Sequence, residues 1–248
     1  MLNFGPQKEL PTVLLIDDDL ISREVMATML TMSGYSVHTA ISGEAALDLL
    51  AAGECVPGVI LIDAQMPGLS GIPLIEQLRA RSKAIVYAIS GSAAPQDVIA
   101  AADGFLLKPF SPDDLSRMLE ERQVQAAPAA ARKTAPAGLV VNPETLAQLR
   151  EMMPEDAVRQ IYAAIVADLG RRIAALEVAF AKNAAAEIRR IGHAIKGGCS
   201  MAGAMQAANI GAAFESAGNH LDNNSALLED LRAAALNLKR MLEAEFPA

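Results

Sequence analysis

The sequence predicts an α/β, doubly wound five-stranded parallel sheet followed by an all-α four-helix bundle. Three observations predict it. Apolar runs of strand length alternate with helix-like segments over residues 1–122, an alanine- and proline-rich stretch breaks the pattern at 123–139, and no strand signal follows from 142 onward. A chain of 248 residues is comfortable for two domains, each able to bury its own core.

In chain order, strands are expected at 12–17 (TVLLID), 35–39 (YSVHT), 58–62 (GVILI), 84–89 (AIVYAI) and 104–107 (GFLL). The first, third and fourth are nearly continuous apolar runs, as strands are when both sheet faces are covered. Helices are expected between them, near 20–33, 43–52, 71–81, 95–102 and 112–124. Asp19 is placed to cap the first and Gly34 to close it. Ser111, Pro112 and Asp114 read as a capping box with proline at the first helical position. Units of this kind imply right-handed crossovers and a parallel sheet, with ligands at the carboxyl ends of the strands.

The stretch QVQAAPAAARKTAPAG has no apolar periodicity and reads as a linker, able to reach ~45–50 Å if extended. Alternatively its alanines prolong the preceding helix as far as Pro128. Beyond it, Asn142-Pro143-Glu144 is a helix start, and long helical segments follow near 155–181, 184–201, 204–218 and 225–245. Short connections between them suggest an antiparallel bundle. The expected division is therefore 1–122, a linker at 123–139, and 140–248.

Composition narrows the function. Residues 1–122 carry 8 Lys+Arg against 16 Asp+Glu, and residues 123–248 carry 13 against 13. Neither half has the basic excess that drives phosphate-backbone binding, which disfavours nucleic acid as a partner. No apolar stretch approaches the ~18 residues of a membrane span, and no secretory signal is visible, so no membrane partner is expected and the location expected is cytoplasmic. Cys55 and Cys199 fit no metal spacing and read as reduced thiols. The 11 methionines and the absence of Trp suggest a core of aliphatic side chains with Met as gap filler. His38, in a strand, and His220, in a loop, read as ordinary structural or surface histidines.

Two local patterns carry chemistry. Asp17, Asp18 and Asp63 stand at the ends of two apolar strands and would converge at one sheet edge, an anionic pocket suited to a hard divalent cation. A carboxylate that accepts a phosphoryl group meets another anion, and Mg²⁺ suits the task because it binds phosphate together with one or two carboxylates. A lysine to neutralise charge and a hydroxyl to donate to a phosphoryl oxygen are available at later strand ends, as Lys108 and Ser90.

VLLIDDD, LIDAQMPGLSG, AISGS and FLLKPF, in this order, resemble the receiver domain of two-component response regulators, a flavodoxin-like fold. The resemblance implies that Asp63 is the phosphoacceptor, and that Asp17, Asp18, Asp63 and the Gln65 carbonyl hold Mg²⁺. It further implies that Lys108 is the conserved-type lysine with a cis bond to Pro109, and that Ser90 and Phe105 form the switch pair. Gln65 and Ser92 match positions that tune dephosphorylation in the family. The sequence departs from the family in the short span from Ser90 to Lys108, which predicts a short or irregular fourth helix, and in Gly91 and Phe105.

The second pattern is HAIKGGCSMAGA at 193–204. Projected at 100° per residue, Ile188, Ile191, Ile195, Cys199 and Ala202 lie roughly opposite His193. Arg189, Arg190, Lys196, Gly197 and Ser200 lie within about 60° of it, so the imidazole is expected to face solvent among cations, with open space one turn onward. Neutral imidazole can attack phosphorus. The string resembles the histidine-phosphotransfer (HPt) family, which implies transfer through His193, with Lys196, Gly197 and Arg189 in support. The family usually has Ser where Gly198 stands.

The two resemblances imply a non-enzymatic phosphorelay intermediate, with a sensor histidine kinase and a receiver domain, its own or a separate one, as partners. A regulatory switch, in which the receiver gates docking of the second domain without direct transfer, is the alternative.

Overall fold

A computed structural model describes residues 10–91, 96–121, 139–217 and 224–246. Residues 123–138 of the expected linker, Ser92 and His220 lie outside the described residues, as does any helical extension to Pro128.

Five strands, β1 (Val13–Ile16), β2 (Val37–Ala40), β3 (Val59–Asp63), β4 (Ile85–Ser90) and β5 (Gly104–Leu107), form one parallel sheet in the order β2-β1-β3-β4-β5. Every residue of β1 and β3 is buried, as their unbroken apolar runs require. Alternation along the strands sends Val13, Leu15, Val59 and Leu61 to one face. There they pack under α1 (Leu20–Met32) and α5 (Pro112–Glu121). Leu14, Ile16, Ile60 and Ile62 face the other way. They pack under α2 (Gly43–Ala51), α3 (Gly71–Arg81) and α4 (Gln96–Ala101).

The register places the functional edge. Ile16 pairs with Ile62, and Asp63 with Ile89, so Asp17 and Asp63 fall in one row across neighbouring strands. Ser90 pairs with Leu107, and the Lys108 N–H donates to the Ser90 carbonyl at 2.8 Å, bringing both to the same edge.

The helix signals act as the sequence suggests. The Asp19 carboxylate accepts from the Ser22 N–H at 2.8 Å. Gly34, at φ +91°, reverses the chain so that the Tyr35 N–H reaches the Leu30 carbonyl. This displaces the expected strand start: Tyr35 is buried in the turn and β2 begins at Val37. Ser111 and Asp114 exchange hydrogen bonds as a capping box. Among the described residues helix α4 covers 6, in line with the shortened span before Lys108.

The helical half comprises a short α6 (Pro143–Met152), α7 (Glu155–Ala181), α8 (Ala185–Met201), α9 (Met205–Ala217) and α10 (Asn224–Glu245). Ile188, Ile191, Ile195, Cys199 and Ala202 are all buried, the face opposite His193. Helices α8 and α9 pack very closely: a Cβ on Gly192 would lie 2.7 Å from the Glu215 nitrogen and 2.8 Å from the Gly211 carbonyl. The two halves are not separate bodies. Helix α1 packs on the sheet with one side and on α7 and α8 with the other, and one apolar cluster runs through Met26 and Met29 to Met201 and the bundle core.

Candidate functional site

At the sheet edge Lys108 is the centre of a buried network. Its ammonium donates to Asp17 Oδ2 and Asp63 Oδ2, both at 2.6 Å. Asp17 also accepts from the Ser22 hydroxyl and the Asp19 N–H, each at 2.8 Å, and Asp63 Oδ1 accepts from the Gln65 N–H at 2.8 Å. Burial pushes the Asp17 carboxyl up to about 6, against the pull of Lys108. Burial likewise opposes the Lys108 charge, but Asp17 and Asp63 outweigh it and hold the ammonium above its ordinary value. The Lys108–Pro109 peptide is cis.

Asp17 stands behind the others. The cleft at this edge is lined by Asp18, Asp63, Gln65 and Lys108 but not by Asp17, whose oxygens are taken by Ser22, Asp19 and Lys108. Ser90 is fully buried at the end of β4. Phe105 is half-buried and packs toward α2–α4, on the face away from α1.

The donor chemistry suits a hard cation. Asp18, Asp63 and the Gln65 carbonyl offer oxygen donors, and burial, with the charges of Asp63 and Asp19, pushes the Asp18 carboxyl up. Among the described residues no group of three carboxylate, imidazole or thiolate side chains could hold an ion by itself. An ion here would have to complete its shell with backbone, water or phosphate oxygens, as Mg²⁺ commonly does.

The opposite wall of the same cleft belongs to α8: Arg190, His193, Ala194 and Gly197. His193 is therefore not open to bulk solvent as the helix projection suggests. Its side chain is only 16% exposed because the polar side of α8 lies against the sheet edge. A helix projection gives the face, and a second domain has covered that face.

His193 Nδ1 pairs with Glu215 Oε1 at 2.8 Å, and Lys196 Nζ donates to Glu215 Oε2 at 3.1 Å. Burial raises the Glu215 pKa, but the hydrogen bonds from His193 and Lys196 more than offset this, leaving it below the usual carboxylate range. An ionised carboxylate can only accept, so Nδ1 carries the proton, and in the neutral ring the lone pair then lies on Nε2. Lys196 thus acts through Glu215. Gly197 has open space where a Cβ would stand. Arg189 is exposed and does not line the cleft, whereas Arg190 does, held by Glu187. Arg23 is a further residue the sequence did not single out: it is buried and donates to the Asp17 carbonyl at 2.7 Å.

Comparison with known proteins finds two family modules in the chain. Residues 13–120 match the response regulator receiver domain and residues 142–244 match the Hpt domain. The first half is 35% identical over 107 residues to "Probable transcriptional regulator ycf27" of Guillardia theta, covering 42% of this chain and 41% of that protein. It is 33% identical over 123 residues to the nitrate/nitrite response regulator protein NarL of Escherichia coli, covering 46% and 55%. The chain thus spans about half or less of the length of these relatives. Among solved structures, the Vibrio cholerae chemotaxis protein CheY4 aligns with 45% of this chain and 98% of its own, at 28% identity and a TM-score of 0.40. The chain is a response regulator receiver domain followed by an Hpt domain, the two modules of two-component phosphorelay signalling.

Proposed function

We propose that this chain is a phosphorelay intermediate. Asp63 accepts a phosphoryl group from the phosphohistidine of a sensor histidine kinase, and His193 passes phosphoryl to or from a receiver, its own or one on a separate protein. One observation carries this reading: Asp63 and His193 line opposite walls of a single cleft.

The chemistry balances. An Asp63 carboxylate oxygen forms the new O–P bond, the donor's N–P bond breaks, and the donor imidazole leaves with the electron pair. For exchange with His193, the Nε2 lone pair attacks phosphorus and the Asp63 carboxylate departs. The ring then gains positive charge, which the Glu215 carboxylate at Nδ1 stabilises. Lys108 neutralises the carboxylates and the incoming phosphoryl oxygens, and Ser90 donates to one of them. Ser90 and Phe105 carry the change of state outward. Asp18, Asp63 and the Gln65 carbonyl would hold Mg²⁺ from the cleft wall, and Asp17, behind them, would join once an oxygen is released by its present partners; when bound, the ion offsets repulsion between carboxylate and phosphoryl group. In this reading the chain assists its own phosphorylation and consumes no ATP.

Asp63→Asn abolishes acceptance from a receiver-directed donor, and His193→Gln blocks only onward transfer, both read by mapping acid-labile and base-labile phosphate by residue. Normal relay in both variants overturns the scheme. A second reading has its own support: Asp63 is only 4% exposed and α8 roofs the cleft, so the bundle also suits a gate. Gating without transfer predicts that label placed on Asp63 never reaches His193.

A further inference from the structure

Gly198 lies in the last turn of α8, on the side that meets the receiver half. The three heavy atoms nearest to an added Cβ all belong to the receiver half: Asp19 Oδ1 at 2.9 Å, Ile21 Cβ at 3.1 Å and Ile21 Cγ2 at 3.3 Å. Neither neighbour can give way easily. Asp19 Oδ1 caps α1 by accepting from the Ser22 N–H, and Ile21 is a buried β-branched side chain with few rotamers.

The other Asp19 oxygen is held from across the interface. Arg172 of α7 pairs with Asp19 Oδ2 and with Asp168 on its own helix, and all three side chains are largely shielded from water. One guanidinium thus joins two buried carboxylates that would repel each other without it. Nearby, a Cβ on Gly91, after β4, would lie at ordinary van der Waals distance, 3.7 Å, from the Gly197 Cα.

We propose that Gly198 and Arg172 make the receiver's own α1 the preferred docking partner of the phosphotransfer bundle, so that phosphoryl exchange between Asp63 and His193 runs within one chain. This rests on the phosphorelay reading above and adds its partner. Gly198 is a socket for the start of α1. Any side chain there holds α8 off the receiver, and because His193 sits little more than a turn away on that helix, it withdraws the imidazole from Asp63. Arg172 selects a receiver with an acid in the Asp19 position.

The test uses the full chain. Asp63 is loaded from acetyl phosphate with Mg²⁺, the donor is removed, and movement of phosphate to His193 is timed in the wild type, Gly198→Ala, Gly198→Ser and Arg172→Met. The wild-type rate is expected to be independent of protein concentration. Gly198→Ser and Arg172→Met slow transfer by about tenfold or more, Gly198→Ala by less, while loading of Asp63 is undiminished. Hydrogen exchange of α1 amides, which reads docking without chemistry, increases in the same order, and circular dichroism confirms that each helix is retained. A rate proportional to concentration, or Gly198→Ser and Arg172→Met matching the wild type, overturns the proposal. Mixing Asp63→Asn with His193→Gln chains separates the two levels: efficient exchange there, with none within a chain, leaves the relay standing and removes self-docking. No phosphate on His193 in any mixture removes both.

Discussion

Replacing Glu215 by Gln tests whether the carboxylate behind His193 serves the transfer or only the packing. Glutamine keeps the shape and can still accept from Nδ1–H through its amide oxygen. What is lost is the charge, at the 2.8 Å contact to His193 and the 3.1 Å contact to Lys196. Hydrogen bonds to a charged group contribute about 1.5–3 kcal/mol and neutral ones about 0.5–1.5 kcal/mol, so the change removes ~1–2 kcal/mol. The loss falls mainly on the phosphorylated form, because attack through Nε2 is what makes the ring positive. Phosphate partition should therefore shift from His193 toward Asp63 by roughly 5–30-fold. The assay is the equilibrium ratio of acid-labile to base-labile phosphate in the full chain, alongside the single-turnover rate. In the unphosphorylated wild type, lowering the pH should weaken the same pair, read by NMR of the His193 imidazole. The folded Glu215 pKa is depressed, so its contribution is complete above the unfolded value and is lost as pH falls through the lower folded value. A Glu215→Gln ratio within twofold of the wild type refutes the role given to this carboxylate.

Three further outcomes follow from burial and contact. Lys108→Met leaves Asp17 and Asp63 buried without their shared cation, and native-state hydrogen exchange of the β1 and β3 amides in chelator should report a loss of ~3–5 kcal/mol, partly recovered by added Mg²⁺; a change below about 1 kcal/mol refutes it. Gly192→Ala places a methyl group 2.7 Å from the α9 backbone and should destabilise the bundle by about 1–3 kcal/mol in urea titrations, whereas an unchanged midpoint contradicts the close packing. Cys199 is buried, and burial pushes its thiol up to about 12, so thiol reagents at pH 8 should modify it only after unfolding; rapid labelling in native buffer contradicts the packed α7–α8 core.

The residues of the cleft were legible wherever local order alone decides their position. Asp17, Asp18 and Asp63 follow apolar runs that can only be central strands, and a parallel register then carries them to one edge. The polar stripe of α8 was legible for the same reason, since a helix fixes which residues share a side. Residues that act across distance left no local trace. Glu215 belongs to the helix after the Gly203 turn, and only antiparallel pairing of α8 with α9 brings it beside His193. Arg172 lies among ordinary surface charges of a long helix, yet meets an aspartate 153 residues earlier in the chain. Burial of His193 was misread because the covering element is another domain, which periodicity within one helix cannot register. The expected strand 35–39 begins two residues later, because Tyr35 is buried next to the Gly34 turn with its hydroxyl 2.8 Å from the Ser116 hydroxyl, a partner 81 residues away.

The most direct test of the shared cleft is a crystal structure of the full chain with Mg²⁺ and beryllofluoride, which mimics a phosphoryl group on a carboxylate. The predicted result is the beryllium centre on Asp63, the ion among oxygens beside it, and the His193 ring across the same cleft with Nδ1 on Glu215. Beryllofluoride bound to Asp63 with the bundle detached, or with His193 turned away from that carboxylate, would contradict the account.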